Sequence, residues 1–460
     1  MKKLGEKCAV FGIYGKGLDV SRLAFFGLYS LQHRGQENSG IATTNGEEIF
    51  CHKGVGLVAQ VFNEKIIQSL PGHIAVGHNR YSTSSGLGIE YAHPIEVSDK
   101  SMTLVHNGNL PSTTLLVNFL KSKGLEFPNA SDSMIITEAI HSIVKEGIAI
   151  EQAIEQIFPL MTGTFSLLIM TKDKLIALRD QYGVRPLSIA KLNGGYVFAS
   201  ETCAFHPIGA NFIRDVNPGE MVVVDESGLK IKQVVKGIQK LDIFEFVYFS
   251  RPDSILLGKS VYDVRKKFGK RLAEEYLIDA DVVIPIPETS IPVAIGYAAA
   301  SGIPFEMGLV KSRYIHRTFI EPEQHIREQG VKLKLAPLKE MIENKRVIVV
   351  DDSIVRGTTS RQIVKMLFET GAKEVHFMIS CPPVKYPDFY GIDLPKQSDL
   401  LASKMNIEEM NKYLGSTSLN FLSYDGMIES AGLDKSLFCT SCFNGEYPVD
   451  LRERKDEVTY

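Results

Sequence analysis

The chain has 460 residues, 44% hydrophobic and 23% charged, with a formal net charge of −3. That length exceeds one ordinary core and predicts two domains, while the mild acidity excludes nucleic-acid binding through bulk charge. No apolar run is long enough to span a membrane, the start MKKLGEKCAVFGIYG lacks the apolar core of a signal peptide, and six cysteines are too few for a disulfide scaffold, so the cytoplasm is the expected location.

The run AVFGIYG (9–15) reads as a strand, with Cys8 immediately before it. GIATTNGEEIFCHKGVG (40–56), HIAVGHNRYST (73–83) and TFSLLIMTKDKLIALRD (164–180) are short apolar runs broken by turn residues. The NG, KD and NGG turns between such runs predict antiparallel hairpins. Ile136, Ile140 and Ile143 recur at helical spacing after Ser131-Asp132-Ser133, which can cap that helix. The first half is therefore expected to be α+β with antiparallel sheets.

The pattern switches after about residue 240. Val261, Val264, Phe268 and Leu272 form a helical stripe, followed by an apolar strand at 282–286 and a helix around 291–301. A strand at 347–350, a helix carrying Ile363, Met366 and Leu367, and a strand at 375–379 complete the series. Alternating helix and apolar strand predicts an α/β domain with a parallel sheet. The join falls near 226–245, giving expected domains at 8–235 and 236–460.

The most specific segment of this half is VIVVDDSIVRGTTS, residues 347–360. Asp351 and Asp352 end a buried strand, where open α/β sheets bind ligands. Gly357 permits a tight turn, and Thr358, Thr359 and Ser360 can cap a helix beginning near Arg361. Acids suited to sugar hydroxyls or a metal, beside a helix start suited to phosphate, indicate a phosphorylated sugar.

The first half has its own polar constellation. Asn107-Gly108 offers a side-chain amide and a backbone N–H, the two donors that an oxyanion hole wants. Arg80 suits a carboxylate and Asp132 an ammonium group, so together they would grip an amino acid at both charged ends, with the Cys8 thiolate near its side chain. His33 and His106 read as local hydrogen-bonders, and Cys51, Cys203 and Cys381 as buried apolar fillers.

CAVFGIYG, LQHRGQENSGIA (31–42), GHNRYST (77–83), HNGNL (106–110) and RDQYGVRPL (179–187) resemble the N-terminal-nucleophile glutamine amidotransferases. That resemblance implies stacked antiparallel sheets between helices. It makes residues 1–7 a propeptide and Cys8 the nucleophile, with its own freed α-amino group, of pKa near ~8, as the base. Arg80 would bind the glutamine carboxylate, Asp132 its amino group, and Asn107 with Gly108 the oxyanion.

VIVVDDSIVRGTTS is similar to the signature of the type I phosphoribosyltransferases, which bind 5-phosphoribosyl-1-pyrophosphate. Asp351 and Asp352 would then address the ribose hydroxyls and a Mg²⁺ site, and Arg356, Gly357, Thr358, Thr359 and Ser360 would cradle the 5′-phosphate. In VVIPIPETSIPVAIGYA (282–298), Thr289 aligns with a metal-binding hydroxyl. KSRYIHRTFIEP (311–322) resembles the loop that closes over substrate, where Lys311, Arg313 and Arg317 would neutralise departing pyrophosphate. A regulator keeping this fold for binding alone would not need Cys8, Arg80, Asn107 and Asp132.

An amidotransferase followed by a phosphoribosyltransferase resembles the amidophosphoribosyltransferase family. The implied reaction joins ammonia from glutamine to C1 of the phosphoribosyl group, releasing glutamate and pyrophosphate and opening purine nucleotide synthesis. The resemblance also implies internal passage of ammonia, feedback inhibition by purine nucleotides and a homotetramer. One branch of the family carries a [4Fe-4S] cluster on four cysteines. Cys439 and Cys442 fit its C-terminal pair, but Asp242 and Asp388 stand at the other two positions. Three readings stay open there: a cluster with oxygen ligation, another metal such as zinc, or a metal-free site.

Overall fold

The computed structural model describes residues 8–81, 88–312, 334–391 and 396–459. In the first half the strands are β1 (Ala9–Tyr14), β2 (Asn38–Thr44), β3 (Ile49–Val55), β4 (Ile74–Arg80), β5 (Ile95–Glu96), β6 (Met102–Ser112) and β7 (Thr162–Thr171). They continue with β8 (Leu175–Arg179), β9 (Ser188–Leu192), β10 (Gly195–Ala199), β11 (Asn211–Asp215), β12 (Glu220–Asp225) and β13 (Gly228–Gln233). The NG, KD and NGG turns join β2 to β3, β7 to β8 and β9 to β10, each an antiparallel pair as expected.

These strands form two antiparallel sheets, ordered β11-β9-β10-β1-β4-β2-β3 and β13-β12-β8-β7-β6-β5. The period-two alternation along β1 explains the stacking. Val10 and Tyr14 pack with Val105 and Leu168 of the second sheet, whereas Ala9, Phe11 and Ile13 pack with Ala24 and Leu28 of the helix Val20–Ser30. On the far side, Leu104, Leu167 and Ile169 meet Leu116, Ile136, Ile140 and Ile154 from the helices Thr114–Ser122, Asp132–Val144 and Ile150–Ile157. The result is two sheets stacked between helical layers. Ser131 caps the second of these helices, its Oγ accepting from Met134 N at 3.3 Å, as the sequence pattern predicts.

The second half is built on a parallel sheet of Val282–Pro285, Arg346–Asp351, Glu374–Ile379 and Ser418–Phe421, paired in that order. The stripe Val264, Phe268 and Leu272 on the helix Val261–Glu275 packs with Val282, Ile284 and Val349, and Ile363 and Leu367 of the helix Thr358–Glu369 join the same core. That last helix starts at Thr358, three residues before the expected position near Arg361. Gly357 adopts φ +73°, which turns the chain directly into helical geometry. Thr358, Thr359 and Ser360 thus occupy the first turn and do not cap it.

The two halves meet through buried charge. Arg34 pairs with Glu201 of its own half and with Glu245 of the other, and all three side chains are buried. Arg185 lies 3.0 Å from Glu245 and 3.2 Å from Asp242. Such pairs are compensated only while both partners remain in place. Among the described residues no helix is long and apolar enough to cross a membrane.

Candidate functional site

Cys8 is half-buried at the entry to β1, with its Sγ 3.9 Å from the carbonyl oxygen of Tyr81. The antiparallel register that pairs Ala9 with Asn79 sets it beside the Arg80 end of β4. Arg80 is buried, with its guanidinium 5.6 Å from the centre of the Tyr91 ring. The start of β1 and the end of β4 therefore place Cys8 and Arg80 side by side without any local sequence link. Residues 82–87, which follow in the chain, lie outside the described residues.

Asn107 and Gly108 sit within β6, in the second sheet, and not in the hairpin turn that an Asn-Gly pair usually makes. Gly108 has φ +154°, and a Cβ there would sit 2.1 Å from the carbonyl oxygen of Thr164. Only glycine fits that approach. The Asn107 amide reaches the first sheet through Ser200, whose Oγ accepts from Asn107 Nδ2 at 3.4 Å and from Val10 N at 3.0 Å. One hydroxyl thus ties the candidate oxyanion amide to the strand that carries Cys8. Ser200 was not singled out from sequence, and no local pattern marks it.

Asp132 opens the helix Asp132–Val144 with its side chain 20% exposed, so it remains accessible to a ligand. Its Oδ2 accepts from Leu110 N at 3.1 Å, which links it to the strand bearing Asn107 and Gly108. His106 Nδ1 lies 3.0 Å from Ser133 Oγ and 3.8 Å from Asp132 Oδ2. His106 and His33 are both hydrogen-bonded, but their partners are not local: Ser133 for His106, and Glu201, 2.7 Å away and far along the chain, for His33. Behind them His78 and His93 stack at 4.2 Å between ring centres. Burial lowers the pKa of His78 to about 3 and that of His93 well below its ordinary value, so both rings are neutral.

The other half presents its acids at the carboxyl end of Arg346–Asp351. Asp351 Oδ1 accepts from Asp352 N at 2.9 Å. Asp352 accepts from Thr289 Oγ1 at 2.6 Å and from Ser353 Oγ at 2.8 Å. Thr289 lies in the turn between Val282–Pro285 and Ile291–Ser301, so two segments distant in sequence share one carboxylate. Gly357 starts the phosphate-type helix, Thr358 and Thr359 follow it, and Ser360 is buried in its first turn. Arg356 leans towards Asp399 at 3.5 Å. Lys311 reaches over the Thr289 turn to Glu288 at 3.4 Å, while Arg313 and Arg317 lie outside the described residues.

Arg265 was also invisible to motif reading. It is fully buried, donating to the carbonyls of Phe246 and Ser250 at 2.8 Å each. Burial brings its pKa down to about 10, and the Asp352 carboxylate works against that fall. A buried positive charge therefore acts on Asp352.

Asp242, Asp388, Cys439 and Cys442 form a third buried group. The short parallel pairing of Leu241–Asp242 with Phe438–Cys439 aligns two of them directly. Burial and then Asp388 push the Asp242 carboxyl up to about 7. Burial, followed by Asp242, raises the Cys439 thiol to about 12 and Cys442 well above its ordinary value. Cys203 and Cys381 are buried as expected, whereas Cys51 is half-buried.

A family described as a glutamine amidotransferase domain matches residues 78–207, and one described as a phosphoribosyl transferase domain matches residues 254–389. The chain is 46% identical over 455 residues to an amidophosphoribosyltransferase of Synechococcus elongatus, covering 97% of this chain and 92% of that protein. It is 44% identical over 460 residues to the amidophosphoribosyltransferase of Bacillus subtilis, covering 98% and 96%. A solved glutamine phosphoribosylpyrophosphate amidotransferase from B. subtilis, complexed with ADP and GMP, superposes with a TM-score of 0.90 at 42% identity, covering 97% of this chain and 98% of that one. A second, described as the allosteric regulatory enzyme of purine biosynthesis, gives a TM-score of 0.91 at 42% identity and 98% coverage of both.

Proposed function

The chain belongs to the amidophosphoribosyltransferase family, and from that premise we propose how its residues divide a glutamine-dependent amidotransfer to phosphoribosyl pyrophosphate. Residues 8–235 take glutamine and residues 236–460 take the phosphoribosyl donor. Once residues 1–7 are removed, the α-amino group of Cys8 accepts the thiol proton. The sulfur attacks the side-chain amide carbon, a C–S bond forms, and Asn107 with Gly108 N–H holds the oxyanion. Collapse breaks the C–N bond and expels ammonia with the transferred proton. Water then cleaves the thioester to glutamate. Arg80 and Asp132 hold the two charged ends of the amino acid throughout.

In the second half Asp351 and Asp352 orient the ribose, and the 356–360 turn holds the 5′-phosphate. The ammonia lone pair attacks C1, the C1–O bond to pyrophosphate breaks, and the new amine loses a proton to solvent. Lys311, Arg313 and Arg317 balance the leaving charge and exclude water. The hard oxygen donors of Asp351, Asp352 and Thr289 fit Mg²⁺, which binds through one or two carboxylates and substrate phosphates and would supply charge neutralisation. No step passes through an iron–sulfur cluster. Purine nucleotides as inhibitors, a homotetramer and a cytoplasmic location complete the reading.

The pairing of a Cys8–Arg80–Asn107 constellation with an Asp351–Asp352–Thr289 site in one chain carries this reading. The test is pyrophosphate release from phosphoribosyl pyrophosphate with glutamine or ammonia as the nitrogen source. Cys8→Ala is expected to abolish the glutamine-dependent rate and retain the ammonia-dependent one. Loss of both in a folded variant would refute the division of labour.

A further inference from the structure

The residues at the position of the family's cluster do not fit a four-iron cluster, and their contacts lead somewhere else. A [4Fe-4S] centre takes four thiolates. Here two of the four positions are carboxylates, and both oxygens of Asp242 are engaged. Oδ1 accepts from Phe244 N at 3.0 Å and Oδ2 from Arg185 Nη1 at 3.2 Å. Asp242 is therefore already satisfied by a backbone N–H and a guanidinium. Cys439 Sγ donates to Ser441 Oγ at 3.4 Å. Among the described residues no three His, Cys, Asp or Glu side chains converge as a metal-holding group.

What this group touches is the glutamine site. Asp388 Oδ1 accepts from Tyr390 N at 2.9 Å, which fixes the turn 388–390. The two carbonyls of that turn are taken up by the other half. Asn109 Nδ2 donates to Phe389 O at 2.8 Å, and Thr164 Oγ1 donates to Tyr390 O at 2.8 Å. Asn109 directly follows the candidate oxyanion donors Asn107 and Gly108, and Thr164 supplies the carbonyl against which Gly108 is pressed. Tyr390 is buried, with its hydroxyl donating to Val449 O at 2.9 Å.

We propose that Asp388, beside the Arg185–Asp242 pair, is part of a metal-free clamp that holds the Phe389–Tyr390 turn against the oxyanion strand, at the position that the family resemblance gives to a cluster ligand. Asp388, Asn109 and Thr164 are then positioning residues for glutamine cleavage, although none touches glutamine. The metal arm of this proposal is independent of the catalytic reading above, and the kinetic arm rests on it.

Two experiments test it. Protein purified anaerobically and incubated with ferrous iron and sulfide should retain neither after desalting, and its glutamine-dependent rate should survive exposure to air. Stoichiometric retention of iron and sulfide with visible absorption would overturn the metal-free assignment. Asp388→Ala should lower the glutamine-dependent rate about tenfold and leave the ammonia-dependent rate unchanged, because only the oxyanion donors shift. Asp388→Asn, which keeps the acceptor for Tyr390 N, should restore it. The near-isosteric Thr164→Val provides the same split should the Asp388 truncation not fold. Equal loss of both rates in folded Thr164→Val, or no loss in either, would overturn the clamp.

Discussion

The hydroxyl of Thr289 donates to Oδ2 of Asp352 at 2.6 Å, joining the turn after Val282–Pro285 to the acid pair at the end of Arg346–Asp351. The hydrogen bond is short, and its acceptor is a carboxylate, the stronger class. It fixes one acid of the candidate ribose site from a strand over.

Thr289→Val removes that donor while conserving shape. Loss of a hydrogen bond to a charged group costs about 1.5–3 kcal/mol, so pyrophosphate release should fall roughly ten- to a hundredfold with either nitrogen source. Thr289→Ser should recover most of the rate. Steady-state kinetics at varied phosphoribosyl pyrophosphate would check this, and a loss confined to glutamine would contradict it.

Ser200→Ala removes the hydroxyl shared by Val10 N and Asn107 Nδ2. The candidate oxyanion amide then loses its tether to the strand that follows Cys8. Glutamine-dependent turnover should drop on the order of tenfold through weaker stabilisation of the tetrahedral intermediate. Ammonia-dependent turnover should be unaffected. Parallel assays with the two nitrogen donors separate these outcomes.

Gly357→Ala puts a side chain at φ +73°, with its Cβ 2.6 Å from Leu401 Cδ2. The left-handed conformation alone costs roughly 1–2 kcal/mol. Unfolding in urea should register that loss, and KM for phosphoribosyl pyrophosphate should rise because the phosphate turn is displaced. The hydrolysis of glutamine to glutamate should be less sensitive.

Acidification should destabilise the fold before most carboxylates titrate. His78 has a pKa of about 3 in the folded chain against an ordinary 6.5, and His93 is lowered too. Between those limits the unfolded chain binds protons that the native state does not, so stability rises with pH there. For His78 it is complete above about 6.5 and is lost as pH falls towards 3, by roughly 2 kcal/mol at pH 5, and the lowered His93 acts in the same direction. Urea unfolding at pH 7 and pH 5 would measure this. His78→Gln should flatten the difference, and an unchanged slope would show that the ring titrates normally.

Local patterns carried the hairpins at 45–46, 172–173 and 193–195, because turn chemistry and strand alternation are neighbours in sequence. They also marked Cys8, Arg80, Asn107, Asp132, Asp351 and Asp352, since each stands at the end or within a motif-bearing strand or helix start. Ser200, Arg265 and the His78–His93 stack were not visible in that way. Their roles come from contacts between elements far apart in the chain, and a serine or an arginine in an apolar run carries no period of its own. The helix at 358 began earlier than expected because a single glycine torsion, not a hydroxyl cap, governs its start.

The charge cluster at the seam has a consequence for handling the protein. Arg34 is answered by Glu245 across the boundary, and Arg185 by Asp242 and Glu245. Cut between them, each fragment would expose ions that have lost their partners. The halves, expressed as separate polypeptides, should therefore be poorly soluble alone and recover when produced together.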